Sequence, residues 1–131
     1  MSRVLLDTSA LLYWTLRPEA LPERARRAIE DAAADEVVVS AISLWEVGLK
    51  AQRGTLDLGL PFAVYVERLR RVDRLTLAPV DAPVWLRVVA LPWEHRDPAD
   101  RVIVATAEML GVPLVTSDEV MRRYAARAIW A

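Results

Sequence analysis

A three-layer α/β/α domain around a central, mainly parallel sheet is the fold class this sequence predicts, and three observations carry that expectation. Short runs rich in Val and Leu, at 3–6, 36–40, 74–79 and 113–116, alternate with longer stretches of helical spacing. Strands separated by helices imply parallel βαβ units, whose helices cover both faces of the sheet. The chain has 131 residues, the size of one domain spanning 1–131, enough to bury a core without metal or disulfide staples.

The elements follow in order. The run 3–6 is a strand ending at Asp7; Thr8 or Ser9 caps a helix that must stop near Pro18. Pro22 suits the first turn of a second helix over 23–34. The segment EVVVS at 36–40 reads as a buried strand. Ser40 or Ser43 caps the next helix, which runs to about Gln52 and is ended by Gly54. Pro61 opens an amphipathic helix with Phe62, Tyr65, Val66 and Leu69 on one face. A strand at 74–79 and a short helix at 82–90 precede a polar, Pro-containing loop at 92–99. Asp100 starts a helix that turns Ile103, Val104, Ala107 and Leu110 inward and ends at Gly111 and Pro113. A strand at 113–116, a short helix after Ser117 and an edge strand at 128–130 complete the chain.

Composition narrows the chemistry. Hydrophobic residues make up 54% and charged residues 27%, a globular balance, and there is no cysteine. Disulfides, thiolate zinc sites and a cysteine nucleophile are thereby excluded. No apolar run reaches membrane-spanning length and the N-terminus does not pattern as a signal peptide, so a cytoplasmic protein is expected. Net charge is −1, although 16 of the 17 basic residues are Arg. That bias is explained first by coding composition, and nucleic acid would have to be met by a local patch or through a bound cation.

Parallel sheets bind ligands outside the carboxyl ends of their strands, where helices begin. Asp7 follows the first strand, Glu46 lies in the early turns of the helix after the second, Asp100 opens its own helix, and Asp118 follows the strand ending at Thr116. Each has a plain structural explanation: acids cap helix N-termini, Ser43 and Glu46 match a capping box, and Glu46 is spaced to pair with Lys50. Jointly they fall on helix starts that converge on one sheet edge. Converging carboxylates raise one another's pKa unless a cation neutralises them. With no Cys and one His, an all-oxygen set selects Mg²⁺ or Mn²⁺, one or two ions, over zinc. Such ions activate water and clamp phosphate in phosphodiester hydrolysis.

Four segments bear a family resemblance: Val4-Leu-Leu-Asp7-Thr-Ser-Ala-Leu-Leu, Val39-Ser-Ala-Ile-Ser-Leu-Trp-Glu46-Val-Gly-Leu-Lys50, His95-Arg-Asp-Pro-Ala-Asp100-Arg-Val-Ile-Val-Ala, and Leu114-Val-Thr-Ser-Asp118. In order and spacing they resemble the motifs of PIN-domain proteins of the VapC toxin type. The resemblance implies a Mg²⁺- or Mn²⁺-dependent ribonuclease of a prokaryotic toxin–antitoxin pair, often dimeric, restrained by a small antitoxin that inserts into the site. It makes Asp7, Glu46, Asp100 and Asp118 the metal-binding acids, with Thr116 or Ser117 supplying a supporting hydroxyl and Asp97 as the rival third acid. Ala99 departs from the pattern, standing where relatives often carry a bulky aromatic.

Other features have simpler readings. His95, the single histidine, fits a surface or hinge position. Arg101 is placed either to meet substrate phosphate or to make a surface ion pair, and the Arg-rich stretches 24–27 and 68–74 fit solvated helix faces. Trp14 and Trp45 follow core spacing, while Trp85, Trp93 and Trp130 are candidates for a partner surface. An aspartyl-nucleophile phosphohydrolase would need an acid where Ser9 stands, and a P-loop would need a glycine-rich cradle the chain lacks. The alternative from another class is a non-catalytic PIN-like module that binds RNA or protein.

Overall fold

The computed structural model describes residues 2–92 and 97–131, so the readings of Trp93 and His95 lie outside it. Strands β1 (Arg3–Leu6), β2 (Glu36–Ser40), β3 (Leu75–Ala78), β4 (Leu114–Val115) and β5 (Ala128–Ile129) form one sheet in the order β3-β2-β1-β4-β5. Every pairing is parallel, which sharpens the expected mainly parallel sheet. The order reverses direction between β1 and β4, so a crevice is expected outside the carboxyl ends of those two strands.

The period-two pattern of the strands decides which helices lie where. Val4, Leu6, Val37, Val39 and Val115 turn to one face and pack with α1 (Thr8–Leu16), α2 (Glu23–Ala32), α3 (Ala41–Gln52) and α4 (Phe62–Arg70). Leu5, Val38 and Leu114 turn to the other, against α6 (Pro98–Leu110) and α7 (Glu119–Tyr124). Helix α5 (Ala82–Ala90) packs on α6 through Val84, Val88, Val102 and Ala105. These are the three predicted layers.

Several local expectations are corrected. Helix α6 begins at Pro98, not at Asp100: Asp97 is the N-cap, accepting from the amides of Ala99 and Asp100, and Pro98 occupies the first turn. Gly111, in the left-handed region at φ 66°, closes that helix as expected. Leu110, expected to face inward, is exposed. Helix α3 is capped by Ser40, which accepts from Ile42, so Ser43 and Glu46 do not form a capping box. Trp45 is 54% exposed and not in the core. Trp130 is half-buried against Tyr13, their ring centroids 5.8 Å apart, rather than presented outward. No helix among the described residues is long and apolar enough to cross a membrane.

Candidate active site

The reversal of strand order brings Asp7, after β1, beside Asp118, after β4. β1 hands the chain to α1 at Asp7, whose backbone N–H donates to the carbonyl of Val115, the last residue of β4. Asp7 is buried, 4% exposed, and both its oxygens are engaged. Oδ1 caps α1 by accepting from Ala10 at 2.7 Å, and Oδ2 accepts from the Thr116 hydroxyl at 2.5 Å. The same Thr116 oxygen accepts from the Asp118 amide at 3.0 Å, and Asp118 in turn caps α7. One buried threonine therefore ties the two acids together. Ser117 is exposed, so of the two candidate hydroxyls Thr116 is the one bonded at the site.

Glu46 sits on the second turn of α3, half-buried. Its Oε1 accepts from the Thr8 hydroxyl, which lies 2.9 Å from Ser43 Oγ. A side chain predicted only as a candidate cap of α1 thus reaches across to α3. Neither Thr8 nor Ser43 was assigned this role from sequence. The available signals are that Thr8 directly follows Asp7 and that Ser43 stands three residues before Glu46, on the same helix face.

Asp97 and Asp100 enter from the N-terminus of α6. Asp97 is exposed and spends Oδ1 on the capping bonds at 2.9 and 3.4 Å. Asp100 lies one turn in and is half-buried. Arg101 does not face outward for substrate: it donates to the carbonyls of Val88 and Leu91 at the end of α5, fastening α5 to α6.

The electrostatics link these groups. Burial pushes the Asp7 carboxyl from 3.8 up to about 6. The bonds from Thr116 and Ala10 oppose that rise, while the charges of Asp100 and Asp118 add to it. Glu46 is also raised, first by burial and further by the charges of Asp97 and Asp100, against the lowering effects of the Thr8 bond and of Lys50. Asp7 thus feels Asp100 and Asp118, and Glu46 feels Asp97 and Asp100, so that Asp100 links the two pairs.

The donor set is wholly oxygen, and its acids are held against mutual repulsion at a cost that a hard divalent cation would remove. Among the described residues no three acids already enclose a single point. An ion held here would keep several of its own waters, as Mg²⁺ commonly does with one or two carboxylates.

Beside Glu46 the surface opens into an apolar groove of about 840 Å³ between α3 and α4, lined among others by Trp45, Leu49, Leu58, Phe62 and Val66. Gly48 makes the close approach possible, since a Cβ there would meet the Phe62 ring at 3.0 Å. By contrast, Arg26, Arg27, Arg70 and Arg71 make exposed ion pairs with Glu30, Glu23 and Glu67 of their own helical segments.

Comparison with known proteins agrees with this fold. The chain is 35% identical over 125 residues to Ribonuclease VapC22 of Mycobacterium tuberculosis, covering 95% of this chain and 93% of that protein. In structure it is similar to the FitAcB complex of Neisseria gonorrhoeae, with a TM-score of 0.64, 27% identity and 95% and 94% of the two chains covered. It also shares its fold with DNA-bound VapBC of Salmonella typhimurium, at a TM-score of 0.70 and 20% identity over 98% and 97% of the chains. The family model of the PIN domain matches residues 4–127, so the chain belongs to the PIN-domain family.

Proposed function

We propose that this chain is a divalent-metal-dependent ribonuclease, the toxin of a toxin–antitoxin pair, formed by one PIN domain over 1–131 and acting on RNA in the prokaryotic cytoplasm. The observation that carries the reading is the gathering of acids at the switch point of a parallel sheet, where the charges of Asp100 and Asp118 reach Asp7 and that of Asp100 also reaches Glu46. The 35% identity to a protein named as a ribonuclease supports the substrate class.

Asp7, Glu46, Asp100 and Asp118 would hold one or two Mg²⁺ or Mn²⁺ ions, which when bound lower the pKa of a water and stabilise charge on the phosphate. The chain's own contribution is preorganisation. Thr116 fixes the Asp7 carboxylate and the backbone entering α7, so that Asp7 and Asp118 face the crevice without rotamer freedom to lose. Asp97 holds the first turn of α6 and thereby sets the height of Asp100. Ser117 lies exposed at the rim, where it would meet solvent or RNA.

A small antitoxin is the partner that would restrain the nuclease, and the groove beside Glu46 supports this. It is apolar and open, and Trp45, which lines it, is the chain neighbour of Glu46, so a partner seated there would lie beside that acid. The exposed apolar residues of α5, Trp85, Leu86 and Val89, fit a second copy in a homodimer.

The test is to incubate the purified, partner-free protein with total RNA and Mg²⁺ or Mn²⁺ beside the Asp7→Asn variant. The reading predicts cleavage at discrete sites that EDTA abolishes and the variant lacks. Equal cutting by both proteins would point to a contaminant. RNA binding without cleavage would favour the non-catalytic module.

A further inference from the structure

Among the described residues no backbone amide anchors the Glu46 carboxylate: it caps no helix, and its described bond is to a hydroxyl from another element. That hydroxyl belongs to Thr8, at the first position of α1, 5% exposed and immediately after Asp7. Behind it lies Ser43, fully buried on α3, one turn before Glu46. A hydroxyl has a single proton. The Thr8 hydroxyl is placed to donate either to the Glu46 carboxylate or, at 2.9 Å, to Ser43 Oγ, and the charge-assisted bond to the carboxylate is the stronger choice. One oxygen of Glu46 is thus met by a hydroxyl whose own residue is buried.

We propose that Thr8 is a positioning residue for metal binding, orienting the Glu46 carboxylate toward the other acids. This role rests on the nuclease reading above. A long acidic side chain on a helix surface samples many rotamers, and a ligand that must be ordered at each binding event weakens the site. Thr8 is β-branched within the first turn of a helix, which restricts its own χ1 and makes it a stiff support. The arrangement also matches the treatment of Asp7: each of these two acids receives one buried threonine hydroxyl from a different element.

The test compares Thr8→Val, which keeps the shape and removes the hydroxyl, with Thr8→Ser, which keeps the hydroxyl and removes a methyl. Three quantities are measured on the full chain: Mn²⁺ affinity by calorimetry, kcat and KM on one RNA substrate, and the melting temperature in EDTA. Thr8→Val is expected to weaken Mn²⁺ binding and lower kcat by about 10- to 100-fold, the usual cost of losing a group that orients a metal ligand, with KM nearly unchanged. Thr8→Ser is expected to stay within about threefold of the parent protein on both counts. Ser43→Ala, which removes only the competing acceptor, should bind Mn²⁺ at least as well as the parent protein to within about threefold. Parent-like Mn²⁺ affinity in Thr8→Val overturns the proposal, as does an equal loss in Thr8→Val and Thr8→Ser, which would mark Thr8 as packing only. Should Thr8→Val fail to fold, Thr8→Ala, which also removes the hydroxyl, takes its place, and parent-like Mn²⁺ affinity in it overturns the proposal. Absence of Mn²⁺ binding by the parent protein would instead overturn the nuclease reading, and the positioning role with it.

Discussion

Asp7 does two structural jobs with two oxygens, capping α1 and receiving Thr116, and would take part in metal binding as a third. Its burial makes the charge expensive, which gives a pH signature. The folded carboxyl is raised from 3.8 to about 6, so the folded state holds its proton more tightly than the unfolded chain. Protonation therefore stabilises the fold: the term is fully present below 3.8 and is lost as pH rises through about 6. Metal-free Asp7→Asn should accordingly be more stable than the parent at about pH 7.5, by up to about 3 kcal/mol, the advantage shrinking toward about pH 4. Denaturant melts in EDTA at the two pH values check this; an advantage independent of pH would contradict it. Excess Mg²⁺ should close the gap at neutral pH by stabilising the parent alone. Thr116→Val removes the hydroxyl shared by Asp7 and Asp118, with an expected cost of about 1–3 kcal/mol in stability and about 10- to 100-fold in RNA cleavage.

At the scale of elements, the start of α6 separates its two acids. Asp97→Ala removes an N-cap and should cost about 1 kcal/mol of stability with a modest loss of cleavage. Asp100→Asn leaves the cap intact and should keep the melting temperature while cleavage falls by about 100-fold or more. Parallel melts and cleavage rates on the two variants read this directly, and the reverse pattern would make Asp97 the third acid.

The strand-and-helix order was legible in the sequence because β-branched runs and helical spacing alternate with clear Pro and Gly breaks. The four acids were legible as a class of position, each near a strand end or helix start. What the sequence hid was which group performs which local job. Pro98 at a first-turn position makes Asp97 the cap, although Asp100 precedes the apolar run and looks like one. Thr8 resembles a cap and instead supports an acid on α3, a contact set only by how α1 packs against α3. Trp45 has core spacing yet lines an open groove, since α3 turns its other side to the sheet through Val47.

At the scale of the whole molecule, the crevice and the groove share one helix: α3 carries Glu46 to the acids and Trp45 to the apolar cleft. Covering the cleft would therefore place a partner against the site, which is how a small antitoxin would silence it. Trp45→Glu should reduce the amount of a short partner chain that co-purifies from the native host by about 10-fold or more, as for a central aromatic anchor. Because Trp45 is largely exposed, the melting temperature of the isolated chain should barely move. Undiminished co-purification would place the partner elsewhere.

The central claim is that Asp7, Glu46, Asp100 and Asp118, contributed by four separate parts of the chain, act as one metal site. Calorimetric titration of Mn²⁺ into the metal-free protein, beside Asp7→Asn, Glu46→Gln, Asp100→Asn and Asp118→Asn, tests it most directly. The account predicts saturable binding of one or two ions by the parent and a loss of about 10-fold or more in every single variant, since the ligands act as a unit. Parent-like Mn²⁺ affinity in all four variants would contradict it.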